Sequence, residues 1–490
     1  MVRQDVFPGQ PVPLRFSRIF PGPRLMHTLL ATAPGTLAAL ALFSLASHLA
    51  FAETYYVNPG AAWPGNGSYE SPFTDWNGVS FVPGNSYLQR SGTSIFGTIY
   101  LAVQGSSAEP VVVGAYGDGA APILAGQIIL LNAAYCIVKD FEVRGSQGPG
   151  VQLLAGCHHI EVRNLVISSN MVGISVAADA GAANLIANSR VYENDLSGIA
   201  VAGGQTGEGM ESVISGNTIY RNGMHGIQVQ GNHYIVDGNE IHNNGLSGIP
   251  GTSGIHIYSP AEGQAFGQFN IILNNLISHQ HDPDGFDGNG IQLDHYSYGN
   301  RVYNNIAFNN DGAGIFLLAT RNNQVHDNLS YGNMRDPGYT RSARGEIALT
   351  CKSQGIDRTD GNFILNNTFI ATNPAAACAF LDVETSDNTN LFGGNVLYHE
   401  GAGALWAVAE GTNSDIGAWN AFATGGGDDV LYDPASQAFV VPASPPPSSC
   451  WMKRTLFILQ CYRPYFWKWA TSLSAAQHRR QSRGAARTTY

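Results

Sequence analysis

The sequence predicts an all-β fold, a single-stranded right-handed parallel β-helix (a solenoid) of about ten or more coils, on three observations. The first is a recurring phrase, Asn-x-apolar-x-x-Asn. Residues 270–275 read NIILNN, 300–305 NRVYNN, 323–328 NQVHDN, 362–367 NFILNN and 390–395 NLFGGN. With looser copies, the final Asn falls at 164, 188, 217, 239, 275, 305, 328, 367 and 395, at intervals of 22 to 39 residues. A period of that size marks a solenoid. The second is a short alternating run in each unit: GIAV from Gly198, GIQV from Gly226, GIHI from Gly254, GIQL from Gly290 and GIFL from Gly314. Alternation puts the two apolar side chains on one face, which describes a strand with one buried side. The third is the lack of an apolar 3.6-residue stripe in any unit, which argues against helical repeats.

Stacked in register at about 4.8 Å per coil, such strands form a parallel β-helix, and the crossover rule makes it right-handed. The recurring Asn reads as scaffold. It is expected to occupy a bend, to accept the left-handed conformation, and to bond the Asn of the next coil through its amide.

The elements follow in chain order. Residues 1–52 read as a leader: Arg3, Arg15, Arg18 and Arg24 precede an apolar stretch at 37–45 and then Ala50-Phe51-Ala52, an A-x-A cleavage pattern. Met26 is an alternative start that gives a leader of ordinary length. Export to the periplasm or the medium follows. Pro34 and Gly35 make a poor spanning helix, so no membrane contact is expected beyond the leader. Residues 53–130 form the first coils and cap, and 131–442 the repeat domain, a monomer that grows by adding coils. Residues 443–490 break the pattern, with eight basic residues, no acidic ones, a Pro run at 445–447 and the aromatic cluster Trp451, Tyr465, Phe466, Trp467 and Trp469. That tail reads as a disordered extension or a shifted reading frame, not as a nucleic-acid arm.

Composition agrees. Hydrophobic residues make up 44% of the chain, too many for a disordered one, and 58 Gly suit many tight turns. Six Cys at 136, 157, 351, 378, 450 and 461 are too few and too dispersed for a disulfide scaffold. Cys351 and Cys378 lie about one coil apart and either pair or fill buried space. Setting aside the twelve basic residues and Asp5 outside 53–442 leaves 13 basic against 35 acidic, a formal charge of −22. A polyanion held by such a surface needs a local basic patch or bound cations.

Aligning the coils on the Gly before each strand gives a series of outward positions. It runs Gln228 and Gln230, His256 and Tyr258, Gln292 and Asp294, Phe316 and Leu318. In the next coil Glu346 takes the Gly position, and Ala348, Thr350 and Lys352 continue the row. Stacked over several coils, these side chains are expected to line a groove for a polymer, with Tyr258 and Asp294 about 4.8 Å apart. Insertions at 244–254, 279–290 and 333–345 precede this strip, where solenoid loops carry function. The second holds His279, His281, Asp282, Asp284 and Asp287, with Asp294 following. These carboxylates suit Ca2+, or else form an Asx-rich turn without metal. The third supplies Arg335, Arg341 and Arg344, a cluster in an otherwise acidic domain.

The opening ETYYVNPG from Glu53, then GNGS from Gly65, SPF from Ser71, Pro83-Gly84 and GAYGDG from Gly114 followed by Pro122, resembles secreted parallel β-helix polysaccharide lyases of the pectate lyase, alginate lyase and chondroitinase B type. The resemblance extends over 53–442. It implies elimination across a uronic acid, with the carboxylate neutralised by Ca2+ or Arg while a Lys, Arg, His or Tyr removes the neighbouring proton. Placed on this chain, it implies an acidic polysaccharide substrate along the strip on Tyr258, Gln292, Phe316 and Glu346. The carboxylate would face Ca2+ held by Asp282, Asp284, Asp287 and Asp294, or the side chains of Arg341 and Arg344, with Lys352 or His256 as base. A uronan epimerase shares the first half of this chemistry. A glycosidase of the polygalacturonase sort would need motifs that are absent apart from Asp428-Asp429. A non-catalytic carbohydrate-binding or structural β-helix needs the groove without an ordered base.

Overall fold

The computed structural model describes residues 52–440 apart from 204–208, 341–343, 352–357, 383–389, 402, 409–410, 414–429 and 434–437. The leader, the basic tail, Arg341 and Lys352 lie outside the described residues. Within them there is no helix, and the chain winds as a right-handed parallel β-helix.

From Cys136 onward the coils contribute three short strands each. One coil reads Ile271–Leu273, Leu276–Ser278 and Asn289–Leu293, and each strand pairs in parallel with its counterpart in the coils on either side. The first of these stacks runs through 13 strands, from Thr54–Val57 to Leu391–Gly393. The apolar pair in each run faces the lumen: Ile227, Ile255, Ile291, Ile315 and Ile347 stack in register and are fully buried. The Gly before each strand is required by packing. A Cβ on Gly254 would lie 2.5 Å from the Ile277 Cγ2 and 2.7 Å from the Gly290 carbonyl oxygen.

The Asn residues form three ladders. One comprises Asn217, Asn239, Asn275, Asn305, Asn328, Asn367 and Asn395, each amide donating to the next Oδ1 at 2.9 to 3.0 Å. A second joins Asn270, Asn300, Asn323, Asn362 and Asn390. The third runs from Asn170 through Asn194, Asn222, Asn244, Gln280, Asn310 and Asn333 to Glu346. Bend and ladder, expected of one residue, fall to two. The left-handed conformation belongs to the residue before the ladder Asn, as at Asn274, Asn304 and Asn366, with φ of 55°, 56° and 57°. Asn164 and Asn188, at φ 56° and 51°, stand in that bend column and not in the ladder.

Two further expectations meet different outcomes. The strip is in register as aligned, with Gln228 beside His256, His256 beside Gln292, Gln292 beside Phe316 and Phe316 beside Ala348. It is not an open groove, because every residue of Ser253–Ile257, Asn289–Leu293, Ile315–Leu318 and Gly345–Thr350 is buried. The outward Phe316, Leu318 and Ala348 pack with Met334, Tyr339, Ala376, Ala377 and Phe380 into a second apolar core outside the lumen. Met334 and Tyr339 come from the third insertion, which folds over the sheet. No disulfide joins Cys351 to Cys378, and burial pushes the Cys378 thiol up to about 12.

Candidate functional site

Where the strip remains polar, side chains from three coils form one hydrogen-bonded chain. The Ser253 backbone N–H donates to His225 Nδ1 at 3.1 Å, which leaves the His225 proton on Nε2. That nitrogen lies 3.2 Å from His256 Nδ1, and His256 Nε2 lies 3.0 Å from Asp294 Oδ2. Direction is thereby fixed: His256 accepts at Nδ1 and donates from Nε2 to the carboxylate. Burial, reinforced by the neighbouring His256, holds His225 well below the ordinary imidazole value, so its ring is neutral.

Asp294 is saturated. Its Oδ2 accepts from His256 and from Gln292 Nε2 at 3.1 Å, and its Oδ1 accepts the His295 backbone N–H at 2.7 Å and faces His295 Nδ1 at 3.2 Å. Burial alone would raise this carboxyl. The hydrogen bond from His256, with the electrostatic pull of the neighbouring imidazoles and the His295 backbone N–H, outweighs it and holds the group below its usual range.

These contacts reassign several predicted residues. His256, proposed as a base, has both ring nitrogens engaged. Gln292, proposed to bind substrate, is buried; its Oε1 accepts from Ser253 Oγ at 2.6 Å and Asn289 Nδ2 at 3.0 Å while its amide holds Asp294. Phe316 is fully buried in the second core and cannot meet a ligand. Glu346 is buried at the end of the third ladder, accepting from the Asn333 backbone N–H at 2.9 Å and bonded to Ser330 Oγ at 2.7 Å. Burial pushes it up to about 7. The Arg344 side chain bonds the Tyr339 carbonyl and lies 5.4 Å over the Tyr339 ring, fastening the covering loop.

The four carboxylates do not fit a Ca2+ ion. Three hydrogen bonds and the adjacent His295 ring surround the carboxylate of Asp294. Asp282 caps its own loop, accepting the backbone N–H groups of Gly251, Phe286 and Asp287 at 3.1, 3.0 and 2.7 Å. Asp287 accepts from Asn289, and Asp284 is exposed. Among the described residues no group of three His, Cys, Asp or Glu side chains is arranged to hold a metal.

Tyr258 keeps chemistry at the rim. Its half-buried ring stacks on His256 with centroids 4.9 Å apart and planes at 20°. Its Oη accepts the side-chain amides of Gln228, at 2.9 Å, and Gln230. Two donors on the phenolic oxygen fix its position and turn the hydroxyl hydrogen away from the coil. His225 escaped the sequence reading because it sits in the ordinary linker NGMHG, before the strand and off the outward row; an ionisable residue beside the strand Gly was the available signal.

No curated protein matches the chain in sequence. The family model described as right handed beta helix region matches residues 206–397. Among solved structures, the chain is similar to a GH136 lacto-N-biosidase from Eubacterium ramulus, at 14% identity over 70% of this chain and 67% of that one, TM-score 0.49. It is similar to the A-module of the mannuronan C-5 epimerase AlgE4 of Azotobacter vinelandii, at 14% identity over 67% of this chain and 90% of that one, TM-score 0.48. It is also similar to the pectate lyase Pel9A, at 16% identity over 60% and 83%, TM-score 0.39. At such identities and TM-scores none of the three activities passes to this chain.

Proposed function

We propose that this chain is a secreted, polysaccharide-active β-helix protein that eliminates across a uronic acid unit of an acidic polymer, with Tyr258 moving the protons. The observation that carries this reading is the phenol of Tyr258, fixed by the His256 ring below it and by two amide donors on its oxygen. In the reaction the base takes the C5 proton, the C4–O glycosidic bond breaks, the electron pair becomes the C4=C5 double bond, and the departing oxygen takes up a proton. One tyrosine serves both ends if it reacts as the phenolate, takes the C5 proton to become the phenol, and gives that proton to the leaving oxygen, which regenerates the phenolate. A positioned acid–base group of this kind contributes about 10²–10⁴-fold. His225, His256 and Asp294 position the tyrosine and do not touch substrate.

A second reading, a non-catalytic carbohydrate binder, is favoured by the burial of Phe316, Leu318 and Ala348, which closes the strip beyond Asp294. Incubation of the full chain with pectate, alginate and glycosaminoglycans, with and without chelator, separates the readings. The lyase yields chains ending in an unsaturated, ultraviolet-absorbing uronate, whereas saturated new ends mean hydrolysis. Binding without new chain ends leaves the binder standing and removes the lyase.

A further inference from the structure

Beyond Tyr258, Asp294 and Leu318 the chain leaves the sheet in three turns of unequal size. The first, 259–267, is an excursion; the turns of the following coils, 295–299 and 319–322, are short. The excursion therefore stands as a wall over the shorter turns and encloses a pocket of about 480 Å3, walled by Glu262, Gln268, Tyr296, Tyr298, Arg321 and Asn322 among others. The wall is fastened. Ser259 Oγ bonds the Ala261 carbonyl at 3.0 Å, Gln268 Nε2 bonds the Gln264 carbonyl at 3.2 Å, and the Ser259 N–H bonds the His295 carbonyl at 2.9 Å. Such a pocket is formed before any ligand arrives, which spares the ordering cost of binding.

Its floor is in register. Gln268, Tyr298, Arg321 and Asp360 pair across four successive coils. Tyr298 is 37% exposed, and exposed Phe269 meets it edge-on at 5.2 Å, with His233 stacked on Phe269 at 5.3 Å. The Phe269 ring lies where a Cβ on Gly299 would come, 2.7 Å from Cε1, so glycine at a φ of 68° makes the aromatic column possible. The Arg321 side chain is 47% exposed and meets Asp360 through Nε at 3.8 Å. That contact leaves both terminal nitrogens for a bidentate carboxylate. Asp360 is shared with Arg358, also at 3.8 Å, so two guanidinium groups face one carboxylate in a domain of net −22.

We infer that this pocket is a saccharide subsite that holds one uronate ring of an acidic oligosaccharide, its apolar face on Tyr298 and its carboxylate on Arg321. The assignment rests on the proposed acidic substrate and adds the place where the carboxylate is recognised. Exposed aromatic rings bind the C–H face of a sugar, Arg321 matches the planar carboxylate, and Gln268, Asn322 and Glu262 supply partners for hydroxyls.

The test is calorimetric titration of the full chain with hexagalacturonate and hexamannuronate, with cellohexaose as the neutral control, on the parent, Arg321→Met, Tyr298→Ala and Tyr258→Phe. The parent and Tyr258→Phe are expected to bind at least one acidic hexamer alike. Arg321→Met should bind it at least ten-fold more weakly and lose preference over the neutral hexamer, and Tyr298→Ala should weaken both. If Arg321→Met and Tyr298→Ala bind as the parent does while Tyr258→Phe loses elimination, the subsite is overturned and the proposed reaction stands. If Arg321→Met weakens binding yet no unsaturated product forms, the subsite stands and the reaction falls. No binding of either acidic hexamer to the parent overturns the subsite.

Discussion

His256 Nε2 and Asp294 Oδ2 meet at 3.0 Å although 38 residues separate them, because one full coil returns the chain to the same wall. The pair closes the buried chain that starts at Ser253 and passes through His225. Replacing Asp294 by Asn keeps the shape but loses the charge that receives the imidazole proton. A loss of about 1.5–3 kcal/mol is expected, the value of a hydrogen bond to a charged group. The sign with pH follows from the lowered carboxyl: its stabilisation is present above the ordinary 3.8 and lost as pH falls through the lower folded value. Denaturant melts of parent and variant should therefore differ at neutral pH and converge in strong acid. A constant difference down to the lowest pH would refute the charged bond.

Glu346 carries the opposite slope. Its folded value of about 7 lies above the ordinary 4.5, so its stabilising contribution is complete below 4.5 and is lost as pH rises through 7. Across that window the parent should lose up to about 1.4 kcal/mol per pH unit relative to Glu346→Gln. Taking this difference cancels His225, whose buried neutral ring disfavours acid and costs stability as pH falls below 6.5. Melting curves from pH 4.5 to 8 that run parallel for the two proteins would show that Glu346 does not titrate there.

Phe316→Ala tests whether the strip is core or groove. As core, the substitution should cost about 3–5 kcal/mol of stability and leave ligand affinity unchanged. An unchanged melting temperature with weakened oligosaccharide binding would return Phe316 to the substrate.

Asn305 sits in mid-ladder, donating to the Ile272 carbonyl at 2.9 Å and to Asn328 at 3.0 Å while accepting from Asn275. Asn305→Ala strands partners on both neighbouring coils, and about 1–3 kcal/mol should be lost. Asn304→Gly, in the bend column at φ 56°, should be neutral or stabilising. Equal losses at both positions would contradict the division between ladder and bend.

Architecture was legible because it depends on period. The Gly-apolar-x-apolar runs located the lumen-facing pairs, and counting from the Gly placed Gln228, His256, Gln292 and Phe316 in their true register. Exposure was not legible, since it depends on what lies over the sheet. The insertion that carries Met334 and Tyr339 reads as a polar, Arg-bearing loop, yet two of its side chains turn a polymer groove into a second core. Hydrogen-bond capacity was hidden for the same reason: Asp282 and Asp294 read as free oxygen ligands until their backbone and imidazole donors are placed. The pocket at Tyr298 and Arg321 lay in turns that the strand-based alignment passed over.

The measurement that bears most directly on the account is the turnover of Tyr258→Phe on the acidic polymer that the parent cleaves. Loss of one hydroxyl should lower kcat by about 10²–10⁴-fold while KM and the melting temperature stay near those of the parent. A variant that forms unsaturated ends at the parental rate would contradict the assignment of Tyr258 and with it the proposed reaction at this site.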